Sequence, residues 1–265
     1  MALHHYEYLV VSPGSRDYQA YLALRHAVFC EELKRVPPSG GQAGGAAVET
    51  DEFDVHSLHI LCRARDTKTP LACSRLILPS PKGLNVSARY TLNPDVLCGV
   101  PLAHVGEIGR LTLSPVLRRS RSSVSMVGGE GYVQGPGDIA PPEPSRRDGS
   151  LVALGLYREL FRLMSRYGIS HCFAAMEPAL ARLLIRIGFP FIPAGGPRAD
   201  AQAPRYPYLI GLHSARAVLA GRNSSLYDFM TTGDGVDGAV ALCDWLTGCR
   251  RPTTTQPYLG SGAPA

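Results

Sequence analysis

Residues 71–78 read LACSRLIL, and an arginine sits where the alternation of a strand calls for an apolar side chain. Successive strand residues point to opposite faces, so Arg75 shares a face with Leu71, Cys73 and Ile77. A buried guanidinium without a partner is very costly. Either this strand lies at an edge with Arg75 in solvent, or the fold must deliver a carboxylate to it. The candidates are Glu49, Asp51, Glu52 and Asp54, at the end of the Pro/Gly-rich stretch VPPSGGQAGGAAVETDEFD. A connection that long without a pattern of its own is expected to be a functional or mobile loop.

A second strand-like run, SLHILCRAR at 57–65, precedes this one. The turn-forming DTKTP lies between them, which predicts an antiparallel hairpin. A third run, VGEIGRLTL at 105–113, carries Glu107 and Arg110. Three residues apart, they face opposite sides of a straight strand. A β-bulge, for which Gly109 is well placed, would bring both to one face.

The remaining pattern is helical in three places. Residues 16–35 form an amphipathic helix on which Arg25 and Phe29 share a face. Residues 150–168 form a strong helix with Ser150 as N-cap and Gly168 past its end. Residues 178–188 form a third, opened by Pro178. Strands are expected at 169–176, around FPFIPAG and at 206–213, a short helix near 94–98, and another over SARAVLAGRN. A flexible insertion is expected over about 114–149. The order is helix, two antiparallel strands, strand, helix, strand, helix, strand, strand. It fits a three-layer α/β domain with a central mixed sheet over 1–222. Residues 223–265 form a partly disordered C-terminal extension in this reading.

With 27 basic and 22 acidic residues, the net charge of +5 is too small for a polybasic nucleic-acid binder. The seven cysteines are scattered without CxxC spacing, so neither a disulfide framework nor a zinc knuckle is expected, and no metal. HxxH at His56 and His59 is weak metal-site spacing, and both read as structural. Free thiols, no signal-peptide pattern and no apolar run of membrane length point to the cytoplasm.

Arg25-xxx-Phe29, Asp51-xx-Asp54, Arg75 in SRLI and Glu107-xx-Arg110 in EIGRL form one ordered constellation. Together with YLALRHAVFCEEL and AAMEPALARLLIRIGF it resembles the acyl-homoserine-lactone (autoinducer) synthases and the long-chain N-acyl amino acid synthases. Within these it is most similar to the PEP-CTERM/exosortase system-associated acyltransferases. The resemblance spans roughly residues 6–215 and implies a GNAT-like (acyl-CoA N-acyltransferase) fold. Two departures stand out. Autoinducer synthases carry a Trp where this chain has Arg35, and the Gly-rich pyrophosphate loop of acetyl-CoA-dependent relatives is replaced by LRRSRSS.

The resemblance implies transfer of a fatty acyl group from an acyl-carrier protein or acyl-CoA thioester to a small amine such as an amino acid. No cofactor is permanently bound. Glu107 is the implied base. Arg75 and Arg110 bind an acceptor carboxylate or brace the acids. Arg25, Phe29, Asp51, Asp54, Ile108 and Leu111 shape the substrate site, with bulge amides near Ile108–Leu111 holding the oxyanion. Arg118, Arg119 and Ser150 would face the donor phosphate. Cys30 is the one thiol near these residues. The alternatives are a homoserine-lactone synthase, which the missing Trp argues against, and a non-catalytic acyl-thioester binding protein of a surface-polymer system.

Overall fold

The computed structural model describes residues 5–37, 47–119, 146–198, 204–234 and 236–247. Its centre is a seven-stranded mixed sheet. The strands are β1 (Tyr6–Val11), β2 (Ser57–Ala64), β3 (Pro70–Ile77), β4 (Val105–Leu113), β5 (His171–Met176), β6 (Ile192–Pro193) and β7 (Tyr206–Gly211). Their order across the sheet is β1-β2-β3-β4-β5-β7-β6. All neighbours are antiparallel except β4 and β5. The expected hairpin is β2–β3, with His59 opposite Arg75. Strand β1 was not expected: it is a sheet-edge strand with an exposed Val10, so half of its alternation is muted.

Helix α1 (Arg16–His26) covers one face of the sheet, capped by the Ser15 hydroxyl on the Tyr18 amide. The predicted helix over 16–35 changes character after His26. Ala27–Glu32 is a π-helix, closed by the Leu33 amide on the Val28 carbonyl (2.9 Å). Single π-turns of this kind often sit at functional sites. The short helix α2 (Asn85–Arg89) lies on the same face as α1, over a small core of Val86, Val105, Phe173, Ala194 and Leu209.

Helices α3 (Pro115–Arg119) and α4 (Arg146–Arg166) follow β4. Ser150 is therefore inside α4 rather than its N-cap, because the helix begins four residues earlier. Most of the expected insertion, 120–145, lies outside the described residues, as does 38–46 of the long loop. α4 buries Leu151, Leu156, Leu160 and Met164 against the opposite face of the sheet. Its approach to β1 requires a glycine. A Cβ at Gly155 would stand 1.9 Å from the Tyr8 hydroxyl, which itself donates to the Val152 carbonyl. Helix α5 (Pro178–Ile187) ends on Gly188 in the left-handed conformation.

The expected boundary at residue 222 does not mark a break in packing. Helices α6 (Leu212–Arg222), α7 (Ser224–Thr231) and α8 (Val236–Thr247) contribute Leu219, Leu226, Phe229, Met230, Val240 and Cys243 to the same core as α4. Each buried large apolar side chain there stabilises by about 1.5–3 kcal/mol. Helices this short, separated by Asn223 and Gly233, are why the sequence reads here as a weakly patterned extension. Residues 248–265 lie outside the described residues.

Candidate active site

Arg75 is fully buried, and the carboxylates that the burial demands are present. Its Nη1 donates to Asp51 Oδ1 and Asp54 Oδ1, both at 2.6 Å, and Nη2 to Asp51 Oδ2 at 2.6 Å. Arg25, also fully buried, donates from Nε to Glu49 Oε2 (2.5 Å) and from Nη1 to Asp54 Oδ1 (2.7 Å). Arg110 Nη2 closes the ring on Glu49 Oε1 (2.8 Å) and Asp51 Oδ2 (3.0 Å). Three arginines meet three carboxylates, and the cluster is neutral. Burial alone would raise Asp54; the hydrogen bond and charge of Arg25, with Arg75, outweigh it and bring Asp54 to about 2. Glu49 and Asp51 are held low for the same reason by their arginines, against the cost of burial.

Arg75 and Arg110 both form ion pairs with these acids. They pin the loop bearing Glu49, Asp51 and Asp54 onto β3 and β4. Beneath the cluster, His59 is buried against the rings of Tyr18 and Tyr21, and its Nε2–H donates to the Asp54 carbonyl (3.1 Å). Burial holds His59 below its ordinary value and so neutral. Among the described residues no cluster of His, Cys, Asp and Glu is arranged to hold a metal.

The bulge lies in β4. From Thr112 to Gly109 it spends three steps where β3 spends two, from Cys73 to Arg75. The residue in the left-handed conformation is Arg110 (φ 51°), not Gly109. For a non-glycine that costs on the order of 1–2 kcal/mol, offset by the bonds to Glu49 and Asp51. The extra residue puts Arg110 on the Glu107 side of the sheet, with its guanidinium over the Phe29 ring, 5.5 Å from the centroid.

Glu107 has a different environment. It is 2% exposed and touches none of the arginines by hydrogen bond. Oε1 accepts from Asn85 Nδ2 (2.9 Å) and Oε2 from the Val86 amide (2.7 Å). Burial pushes its carboxyl above the ordinary value, and the two hydrogen bonds offset only part of that.

A cavity of about 600 Å³ opens beside it, lined by Phe29, Leu33, Arg75, Asn85, Tyr90, Glu107, Ile108, Gly109, Arg110 and Ala175. Parallel pairing of β4 with β5 ends at Ile108 and Ala174, so the strands part where the cavity begins. Its rim carries Lys34, Arg35, Arg89, Arg198 and Arg205 against Glu32. Arg35 also pairs with Glu177 (3.0 Å).

The structure thus gathers Arg25, Phe29, Asp51, Asp54, Arg75, Glu107, Ile108 and Arg110 into one region. Leu111 does not line the cavity: it packs on the α4 side, against the main core. Cys30 is partly buried and also off the cavity wall, and burial raises its thiol. Arg118 and Arg119 are at the end of α3, with side chains outside the described residues; Ser150 is not on the cavity wall. Sequence reasoning missed Asn85, Arg89, Tyr90 and Arg205. They lie in segments without periodicity or at a strand's edge, and no local signal marks them.

Residues 24–127 match the family described as the acetyltransferase (GNAT) domain. No curated protein matches the chain. Among solved structures, the chain is similar to the AHL synthase LasI, with 17% identity and a TM-score of 0.53 over 82% of this chain and 95% of that one. TofI in a ternary complex with an inhibitor and MTA aligns at 18% identity and TM-score 0.50, covering 82% of this chain and 96% of TofI. The CoA-dependent acyl-homoserine lactone synthase BjaI with MTA aligns at 15% and 0.50, covering 90% and 100%. At these identities the likeness is one of fold. With the domain match over 24–127, it gives the mixed sheet and its parted β4–β5 pair their identity: a GNAT-type α/β fold.

Proposed function

We propose that the protein is an N-acyltransferase that moves a fatty acyl group from a carrier-protein or coenzyme A thioester to a small amine. The single observation that carries this reading is Glu107. It is a buried carboxylate above its ordinary value, free of ion pairs, on the wall of a cavity that opens where two parallel strands part. A carboxylate whose pKa is raised is a better acceptor for the proton of an attacking amine.

In this reading the amine nitrogen attacks the thioester carbonyl. The C–N bond forms and the C–S bond breaks. The amine's proton passes to Glu107, directly or through a water, and the departing thiolate takes up a proton to leave as the thiol. The thioester arm enters between β4 and β5. Bulge amides near Ile108–Leu111 face the oxyanion, and Arg118 and Arg119 are the candidates for the donor's phosphate. The cationic rim favours an acceptor that carries a carboxylate, which fits an amino acid. Arg35 in place of an aromatic residue favours this over homoserine-lactone synthesis. A role in an exosortase-linked system and residence in the cytoplasm rest on the sequence resemblance and composition alone. Among the described residues no helix is long and apolar enough to cross a membrane.

Mass spectrometry of lipid extracts from bacteria expressing the protein, beside Glu107→Gln, tests the proposal. New N-acylated amines that vanish in the variant are expected. A folded wild-type protein that yields none, in extracts or with purified acyl donors, overturns it.

A further inference from the structure

Two buried polar atoms of residues that line the cavity lack a hydrogen-bond partner among the described residues: Asn85 Oδ1 and Arg75 Nε. Only the first is an acceptor. Asn85 is 8% exposed, and its amide orientation is fixed by the bond from Nδ2 to Glu107 Oε1. That bond spends one of the two Nδ2 hydrogens and leaves the carbonyl oxygen free. A buried acceptor without a partner costs about 1–3 kcal/mol, so its retention on a cavity wall beside the base calls for a donor supplied by a ligand. Glu107 has room as well: its two oxygens accept one hydrogen bond each, while a carboxylate offers about four sites.

On the acyl-transfer reading above, we infer that Asn85 reads the acceptor's amine. Its Oδ1 takes one N–H while Glu107 takes the proton lost as the C–N bond forms. The two acceptors side by side suit a nitrogen with at least two hydrogens to give, so the acceptor class is a primary amine. An N-methylated acceptor, once deprotonated by Glu107, has no N–H left for Asn85. Asn85 is thus a specificity-determining residue, and through Nδ2 it also positions Glu107. Helix α2 exists to hold it: Val86 anchors the turn in the small core and gives its amide to Glu107.

The experiment uses the full chain with decanoyl-CoA and decanoyl-carrier protein, and pairs each protein amino acid with its N-methyl counterpart. Wild type is expected to prefer the primary amine by roughly 100-fold or more in kcat/KM, because a site built to bond an N–H rejects the analogue that lacks it. Asn85→Leu keeps the volume and removes both amide atoms; Asn85→Asp keeps an acceptor oxygen and replaces the amide donor with a second carboxyl beside Glu107. The Leu variant is expected to narrow the preference about tenfold or more and to raise the acceptor's KM, with the donor's KM unchanged. The Asp variant is expected to keep the preference at a lower kcat. If Asn85 only held Glu107, both variants would lose kcat alike with the preference intact, and that result overturns the inference. So does a wild type that takes N-methyl acceptors equally well, a result that stands even if neither variant folds. No product from any pair overturns instead the acyl-transfer reading beneath it.

Discussion

Two groups of buried charge face each other across a few residues of β4. On one side, Arg25, Arg75 and Arg110 meet Glu49, Asp51 and Asp54, and nearly every charged atom is spent on a partner. On the other, Glu107 has only the neutral Asn85 and the Val86 amide, with an unspent acceptor beside it. The first group is electrically closed, so its carboxylates lie below their ordinary values and hold no proton near neutrality. The second is open, and burial holds its carboxyl above its ordinary value. Burial is common to both. What separates the two is whether the fold also buries the counter-charge.

The largest test of that contrast is to break the brace. Arg75→Ala leaves Asp51 with Arg110 alone and Asp54 with Arg25 alone, one buried positive charge short, and is expected to cost about 3–5 kcal/mol in denaturant unfolding. A cost under 1 kcal/mol would mean the cluster is solvated and the contrast is false. Glu107→Gln reverses the pattern. It should lower the rate of acyl transfer by roughly 10²–10⁴-fold and leave stability within about 1 kcal/mol. In the wild type, activity should rise with pH along a limb whose midpoint lies above the ordinary glutamate value.

That division was half legible in the chain. Arg75 announced its need for acid by breaking an apolar alternation, and Glu107-xx-Arg110 announced a bulge by placing two charged residues three apart on a strand. Glu49 appeared only as one acid among four, because partner choice is set by a loop that no periodicity describes. Asn85 left no trace: it is polar in a segment already irregular, and it becomes significant only when α2 folds back onto Glu107. The same limit applies to the strained residue. A glycine is the natural guess for a left-handed bulge position, but ion pairs to Glu49 and Asp51 hold Arg110 there instead. Likewise β1 escaped notice because an edge strand buries too few side chains in register to stand out.

Acid titration separates the two groups by sign. Asp54 falls from the ordinary 3.8 to about 2 on folding, so its contribution is present above the unfolded value and is lost as pH drops through about 2. That amounts to about 2 kcal/mol between pH 4 and 2. Glu107 is raised on folding, so its ionisation costs stability as pH climbs past the ordinary glutamate range. Wild-type stability should therefore gain with pH below 4, and its further gain above that should be smaller than in Glu107→Gln. Identical pH profiles for the two proteins would remove the evidence that Glu107 is desolvated and unpaired.

The finest test concerns the bulge between the groups. Arg110→Ala and Arg110→Gly both discard the guanidinium and leave Glu49 and Asp51 short of a partner, so both are expected to destabilise. They differ only in what the left-handed backbone costs. Alanine keeps a Cβ at φ 51°, while glycine adopts that region freely. The glycine variant should be the more stable of the two by about 1 kcal/mol, the reverse of the order found where φ is negative. Equal stabilities would mean the bulge relaxes once its ion pairs are gone, and that the closed cluster imposes the conformation rather than merely tolerating it.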